Sequence, residues 1–328
     1  MLANNNKMII NKLAKNSVKS NKKQYGILFF TIVLSAFMLF CVFTIGLTYL
    51  DSSRLHNTRL NGAEYDITTM NGFTSKQVKS LQSNKNIQNV GMESYAGFIK
   101  SSEFDNTVEI GLLWCDETFW NNLMSPARTK LDGHYPQNKN ELMVTKDILK
   151  ACGNENLSVG DSIVLTYENN TGVHTDKFVI SGIWDGYGDK SAGFVSKNFY
   201  DETGYDLKND GILCIKLNRN YVLPTTIQSL EKSLNFSDRQ IFAPTDYIEN
   251  SFKLLLGICG LALVICLSAY LLIYNILYLS ISGKIRYYGL LQSLGMTKKQ
   301  LVRFITKQML FIAIAGIFIG NLLGILTV

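Results

Sequence analysis

KIRYYGLLQSLGMTKKQLVRF, residues 284–304, carries five basic residues and no acidic one, and it lies between two long stretches that contain no charged residue. The two stretches cover residues 254–283 and 308–328, and a third uncharged stretch covers residues 24–50. They are 30, 21 and 27 residues long, respectively. Because a helix of about 20 apolar residues crosses the hydrocarbon core of a bilayer, each stretch predicts a transmembrane helix.

The first uncharged stretch has one competing interpretation, the core of a secretory signal. It is longer than a signal core, and the residues that follow, TIGLTYLDSS (44–53), offer no small-x-small cleavage site. We therefore interpret residues 24–50 as an uncleaved membrane anchor.

The distribution of charge predicts the orientation of the spans. Residues 1–23 hold six lysines, residues 284–307 hold six basic residues, and neither segment contains an acidic one. Residues 51–253 hold all 26 acidic residues and the other 20 basic ones, so their net charge is −6. Because short flanks rich in Lys and Arg remain in the cytoplasm, we expect a cytoplasmic N-terminus, a cytoplasmic loop at 284–307 and an extracytoplasmic segment between spans 1 and 2.

The third predicted span, residues 308–328, runs outward and is still apolar at Val328. Membrane helices usually end in interfacial anchor residues. We therefore expect this sequence to be the N-terminal portion of a longer chain.

The segment 51–253 is long enough to build a hydrophobic core of its own. NNTG at 169–172 predicts a turn between two strand-like segments rich in β-branched and aromatic residues. SKQVKSLQS (75–83) and KDILKACG (146–153) have helical patterns, and the second ends on a glycine cap. Because helices and strands mix without regular βαβ spacing, the predicted fold is an integral membrane α-helical protein with a large α+β extracytoplasmic domain between spans 1 and 2.

The predicted outer domain shows no catalytic or metal-binding motif. Its histidines, His56, His134 and His174, lie far apart and lack the spacing of metal ligands. Neither a G-x-S-x-G elbow nor an H-E-x-x-H pair occurs in it. We therefore predict a non-catalytic binding or coupling domain with no cofactor, no metal and no nucleic-acid partner.

The cysteines receive no predicted role. Cys115, Cys152 and Cys214 lie in the outer domain, where either one disulfide with one free thiol or three buried thiols would fit. The other three cysteines lie within predicted spans and fit small apolar packing residues.

The basic loop has the pattern of a short helix, a glycine break and a second helix that continues into span 3. Apolar residues recur on one helical face, a glycine follows in the position of a left-handed cap, and a T-x-x-Q capping box comes next. The residues of this pattern are Tyr287, Leu290, Leu291 and Leu294 on the face, Gly295 at the break, and Thr297 with Gln300 in the box. Because the apolar face needs a partner, it predicts a docking surface, although a basic helical loop is also common between any two spans.

The N-terminal segment, residues 1–23, shows a weaker amphipathic pattern. Ile10, Leu13, Ala14 and Ser17 form a modest apolar face among lysines. We expect this segment to lie on the cytoplasmic membrane surface, in contact with lipid.

Span 3 carries a doubled G-x-x-x-G motif at Gly316, Gly320 and Gly324. Glycines at this spacing allow a second helix to approach closely within a membrane. Asn275 and Asn321 add polar groups that should face protein or water. The motif therefore predicts helix packing, either within a bundle or between two copies.

Several segments resemble the FtsX/MacB-type permeases of ABC transporters, the type VII or mechanotransmission family. The loop and third span (284–326) resemble their basic residue, G-L-L-x-x-L-G turn and glycine-bearing helix. GHYPQNKNELMVTKDIL (133–149), LSVGDSIVL (157–165) and KFVISGIW (177–184) resemble, in the same order, parts of their outer core domain. KNSVKSNKKQYGILFFTIVLS (15–35) resembles the start of their first helix.

The sequence departs from the family pattern at two points. Many members carry a glutamate where Tyr287 stands, and the minimal unit of the family has four spans where this sequence has three. Because of the first departure, the sequence does not support an acidic contact to the ATPase at position 287. The second departure agrees with the expectation of an incomplete chain.

The resemblance implies a non-catalytic permease subunit in a bacterial plasma membrane. A separate cytoplasmic ATPase would dock on the loop at 284–307 as a coupling helix, a second permease unit would associate with the spans, and ATP-driven closure would move the outer domain. The sequence itself has no G-x-x-x-x-G-K-[ST] phosphate loop. The expected cargo or effector, which the sequence does not name, would be a peptide, a lipoprotein, an antimicrobial compound or an outer-surface enzyme.

Two other classes of protein compete with the permease. A membrane receptor would need a cytoplasmic output domain after span 2, but only 24 residues separate that span from span 3. A membrane-anchored hydrolase would need a catalytic constellation in the outer domain, where no motif for one occurs.

Overall fold

The computed structural model describes residues 7–100, 110–187 and 192–327. Residues 1–6 of the predicted N-terminal segment and Val328 of the third predicted span therefore lie outside the described residues. The chain divides into two compact units. We call Met1–Leu50 with Leu254–Val328 the helical unit and Asp51–Lys253 the α/β unit.

The described residues form ten helices. They are α1 Lys7–Ser20, α2 Lys22–Asn61, α3 Ser75–Gln82, α4 Lys146–Ala151, α5 Lys197–Tyr200, α6 Leu207–Asp210, α7 Pro224–Ser233, α8 Asp246–Ser282, α9 Ile285–Ser293 and α10 Lys298–Thr327. A short π-helical turn and a 3₁₀ turn also occur, at Phe119–Leu123 and Ser125–Ala127.

The same part of the chain forms ten strands, which belong to one sheet. They are β1 Ile67–Met70, β2 Ile87–Lys100, β3 Ile110–Cys115, β4 Arg128–Gly133, β5 Glu141–Thr145, β6 Ser162–Asn169, β7 Gly172–Gly186, β8 Gly193–Val195, β9 Ile212–Leu217 and β10 Ile241–Pro244.

Three helices, α2, α8 and α10, are long and apolar enough to cross a membrane. They contain the predicted spans except for Gly283, one residue beyond α8, and Val328, which lies outside the described residues. The mixed α/β segment lies between the first two helices, so the predicted fold class is confirmed. The helices extend beyond the uncharged stretches. Helix α2 continues to Asn61 and ends there because Gly62 follows with φ +72°, a left-handed backbone that terminates a helix.

The sheet of the α/β unit contains a closed ring of six strands. In that ring β2 pairs with β3, β3 with β8, β8 with β5, β5 with β7, β7 with β6, and β6 with β2 again. The β3–β8 and β5–β7 pairings are parallel and the other four are antiparallel. Closure pairs both sides of each ring strand, which satisfies backbone groups that an open sheet would expose.

One apolar cluster is built from the ring strands together with α4 and α5. Strand β6 shows the alternation that produces it, because Ile163, Leu165 and Tyr167 are buried while their neighbours face outward. Phe178 from β7 and Phe199 from α5 contact Tyr167 in this cluster, with ring centres 5.5–6.0 Å apart.

A second cluster lies where the sheet continues past β2 through β9 and β1 to β10. Ile67 and Ile215 from the strands pack there with Leu81 of α3 and with Leu230 and Leu234 near the end of α7. This part of the unit positions the loops around α3, α6 and α7.

The local predictions for this unit are confirmed. Helix α3 begins after Thr74 and α4 ends one residue before Cys152, followed by Gly153 at φ +68°. The predicted turn joins β6, which ends at Asn169, to β7, which begins at Gly172.

Candidate functional site

The loop between the second and third spans contains the predicted break between two helices. Gly295 adopts φ +97°, its N–H donates to the carbonyl of Gln292 at 3.0 Å, and the N–H of Met296 donates to the carbonyl of Leu291 at 3.1 Å. These two bonds form a Schellman motif, which satisfies the last carbonyls of α9. A left-handed backbone at this position favours glycine over any residue with a Cβ.

The third span begins with the predicted capping box. The N–H of Thr297 donates to Oε1 of Gln300 at 2.9 Å, and the N–H of Gln300 donates to Oγ1 of Thr297 at 3.3 Å. These reciprocal bonds fix the first turn of α10 immediately after the glycine break.

The predicted apolar face of α9 divides into an exposed part and a packed part. Tyr287, Leu290 and Leu294 are 41%, 62% and 83% exposed. We call these three residues the exposed stripe. Leu291, predicted to belong to the same face, instead packs into an internal cluster with Tyr288.

The internal cluster joins α1, α9 and α10. Ile10 and Ala14 from α1, Tyr288 from α9 and Phe304 from α10 are all buried in it. Burial raises the pKa of the Tyr288 hydroxyl to about 12. Tyr288 was not among the predicted site residues because apolar periodicity does not distinguish an internal contact from an external one.

The same cluster changes the interpretation of the N-terminal segment. We expected the apolar face of residues 1–23 to contact lipid, but Ile10 and Ala14 are covered by side chains of α9 and α10. Only Leu13, 36% exposed, remains an open apolar residue of that face. A complementary apolar surface within the chain covers the face that the sequence assigned to the membrane surface.

Lys284 ties the start of α9 to two of the long helices. Its Nζ lies 5.0 Å from the centre of the Tyr25 ring, a distance typical of a cation–π contact. The Tyr25 hydroxyl donates to Oε1 of Gln308 at 2.7 Å. Burial lowers the pKa of Lys284.

The three glycines of α10 lie against α2 of the same chain. A Cβ at Gly316 would lie 2.8 Å from Ile32, one at Gly320 would lie 2.6 Å from the carbonyl oxygen of Val33, and one at Gly324 would clash with Phe40. The glycine motif therefore packs helices within the chain, and a second permease unit would have to use another surface.

The α/β unit contains an aromatic cavity of about 470 Å³. Tyr65, Tyr95, Phe98 and Trp184 line it together with the carboxylate of Glu93. This volume lies within the range of roughly 300–1,000 Å³ that is usual for ligand sites.

Two thiols lie in the same region of the α/β unit. Cys214 approaches Oε1 of Glu93 at 3.7 Å, and burial raises the pKa of both Cys115 and Cys214. A protonated, buried thiol is a poor nucleophile and a poor metal ligand. Within the described residues no group of three or more His, Cys, Asp or Glu side chains could hold a metal ion.

Comparisons with known proteins identify part of the chain. Residues 259–328 match the family model of the FtsX-like permease C-terminal domain. No curated protein matches the chain with significant similarity.

Two solved structures resemble about half of the chain. The periplasmic region of MacB from Actinobacillus actinomycetemcomitans is 14% identical, with a TM-score of 0.40 over 59% of this chain and 95% of that one. The extracellular domain of the noncanonic ABC-type transporter YknZ from Gram-positive bacteria is 11% identical, with a TM-score of 0.36 over 55% of this chain and 99% of that one.

The matched segment contains most of α8 and all of α9 and α10, including the glycine break, the capping box and the exposed stripe. Over these residues, the chain is similar to the C-terminal domain of the FtsX-like permeases.

Proposed function

We propose that this protein is the permease subunit of an ABC transporter, which transmits movement from a separate cytoplasmic ATPase to the α/β unit. The observation that carries the proposal is the exposed stripe of α9. It consists of apolar side chains outside the three spans, within the FtsX-like domain, and the chain itself leaves them uncovered.

The surroundings of the stripe suit an ATPase with an acidic docking surface. Residues 284–307 contain six basic residues and no acidic one. Such a charge arrangement would steer the approach of an acidic partner, while buried leucines would supply most of the affinity.

The packed side of α9 gives this docking event a mechanical route. Tyr288 and Leu291 hold α9 against α1 and α10, and Lys284 holds it near Tyr25 of α2. A force applied to the exposed stripe would therefore reach all of these helices. Because α2 is unbroken from Lys22 to Asn61, it can carry the movement along its full length.

The proposal includes an orientation and a second permease unit. The basic segments 1–23 and 284–307 would lie in the cytoplasm of a bacterial cell, and the acidic α/β unit would lie outside the plasma membrane. The second unit would contact a surface other than the glycine face of α10, which α2 already covers.

The experiment uses the full chain in lipid nanodiscs with the ATPase encoded beside it. The test variant is Leu290→Asp with Leu294→Asp, because both side chains are exposed and their replacement leaves the internal cluster intact. Burying a leucine at an interface contributes about 1.5–3 kcal/mol, so the double variant should weaken association at least about tenfold. Stimulated ATP hydrolysis should fall in parallel.

Ile285→Asp is the matched control. Ile285 is 65% exposed on the same helix, and α-helical geometry places it about 140° around the axis from Leu290. We expect this variant to bind and stimulate the ATPase normally. Unchanged coupling in the double variant, or an equal loss in the control, would contradict the proposal.

Leu291→Asp should not serve as the test variant. Leu291 packs against the cluster that contains Tyr288 and Phe304, so a charge there would disrupt the loop whether or not an ATPase docks on it.

A further inference from the structure

A polar cleft of about 500 Å³ opens in the α/β unit between α3, α6 and the end of α7. Its described lining residues include none of those that line the aromatic cavity around Tyr65 and Glu93. Leu234 is the one apolar residue among its described lining residues, and the other lining side chains are basic, amide-bearing or hydroxyl-bearing.

The charged side chains that line the cleft, among the described residues, are all basic. Lys76, Lys208 and Arg239 line it, and no acidic residue does so among the described lining residues. None of these three side chains forms an ion pair with another described residue. Cations concentrated in a concave site without acidic partners favour an anionic ligand.

The amide groups in the cleft are held in fixed positions. The buried Gln77 donates from Nε2 to the carbonyl of Leu234 at 3.1 Å, and Gln240 donates from Nε2 to the carbonyl of Gly72 at 2.7 Å. Asn71 donates from Nδ2 to the carbonyl of Arg239 at 2.8 Å. Because these bonds join the walls to one another, the cleft is organised before any ligand enters.

Two residues in the cleft have an uncommon backbone conformation. Asn71 at φ +66° and Asn235 at φ +44° are the non-glycine residues with positive φ in the described part of the chain, and both line the cleft. Non-glycine residues with this backbone cluster at functional sites. Asparagine tolerates the conformation and adds a hydrogen-bonding amide.

We propose that this cleft binds a saccharide that carries a carboxylate or a phosphate. The three cations would bind the charged group, and those wall amides and hydroxyls that the internal bonds do not engage, such as the side chain of Asn235, would exchange hydrogen bonds with the sugar hydroxyls. The volume admits a ligand larger than a simple anion, and hydroxyl- or amide-bearing side chains outnumber the one apolar lining residue, Leu234. This inference rests on the proposed function, which puts the α/β unit outside the plasma membrane, and it names the class of external ligand that the unit would meet there.

Isothermal titration calorimetry on the full chain in detergent tests the inference. The charged probes are trigalacturonate and glucose 6-phosphate, and the comparison probes are neutral maltotriose and inorganic phosphate. We expect one of the charged saccharides to bind at least about tenfold more tightly than either comparison probe. Equal binding of inorganic phosphate, or no binding of either charged saccharide at about 1 mM, overturns the proposal.

Matched charge variants locate the binding. Lys76→Gln, Lys208→Gln and Arg239→Gln together should weaken binding of the charged saccharide at least about tenfold. Lys79→Gln, Lys85→Gln and Lys232→Gln together remove the same charge from exposed positions that do not line the cleft, and binding should persist. An equal loss of binding in both triple variants would show that the saccharide is attracted by net charge alone, and it would overturn the assignment of the cleft as the binding site.

Asn235→Gly tests the role of the amide side chain apart from that of the backbone conformation. Glycine retains the positive φ, so the fold should persist while binding weakens, and unchanged binding would remove Asn235 from the site. Calorimetry requires no ATPase. A failure to bind saccharide would therefore leave the permease proposal intact, and a failure of ATPase coupling would leave this site intact.

Discussion

The two units of the molecule place the same kinds of side chain in opposite environments. In the α/β unit, Leu142 and Phe178 are 0% and 1% exposed. In the helical unit, Phe30 and Leu279 are 70% and 68% exposed. Water drives the first pair inside, whereas a bilayer solvates the second pair as well as another helix would.

This difference separates two kinds of exposed apolar residue. Exposed apolar side chains within α2, α8 and α10 need no protein partner, because lipid can cover them. The exposed stripe at Tyr287, Leu290 and Leu294 lies outside those helices, next to basic residues, and the chain leaves it exposed. This difference supports the proposed docking role of the stripe, which the larger apolar surface of the spans does not need.

The largest expected effect comes from Phe178→Ala. Its ring packs against Tyr167 and Phe199 inside the strand ring, so truncation should cost about 3–5 kcal/mol. Phe30→Ala should change stability by less than about 1 kcal/mol. Thermal unfolding of the full chain in nanodiscs, followed by circular dichroism, measures both, and equal losses would contradict the assigned environments.

A smaller effect is expected at the glycines of the spans. Gly320→Ala would place a Cβ 2.6 Å from the carbonyl oxygen of Val33 and should cost about 1–3 kcal/mol. Gly260→Ala meets nothing within 4 Å, so it should be neutral or stabilise α8 by up to about 1 kcal/mol. Unfolding of the helices in denaturing detergent measures the difference, and identical behaviour would refute the contact between α10 and α2.

The smallest expected effects are two stability changes of opposite sign within the loop. Gly295→Ala places a Cβ at φ +97° and should destabilise the junction by about 1 kcal/mol. Gly289→Ala, in the middle of α9 with open space around it, should stabilise that helix by about 0.5–1 kcal/mol. Hydrogen exchange of the α9 amides reports both changes, and effects of the same sign would argue against the Schellman break.

The elements of the helical unit were predictable because their signals are local. A long stretch without charge predicts a span, T-x-x-Q at Thr297 and Gln300 predicts a capping box, and Gly295 after an apolar helix predicts a break. Each signal depends on residues close in sequence, and each corresponding element occurs in the structure.

Partner surfaces were harder to predict because they depend on residues distant in sequence. Helical periodicity placed Leu291 and Leu294 on one face, but Leu291 packs against the cluster that contains Ile10 and Phe304, whereas Leu294 is exposed. The same limit applies to the strand ring, whose closure through β6 and β2 depends on a register that no local pattern encodes. The polar cleft was also missed, since its basic residues come from separate segments of the α/β unit.

Site-specific photocrosslinking tests whether the exposed stripe contacts the ATPase. A benzophenone amino acid would replace Leu294 in one variant and Ile285 in another, since both positions are exposed but lie on different sides of the loop helix. We expect a crosslink to the ATPase from position 294 and none from position 285. No crosslink from 294, or equal crosslinks from both, would contradict the assignment of the exposed stripe as the docking surface.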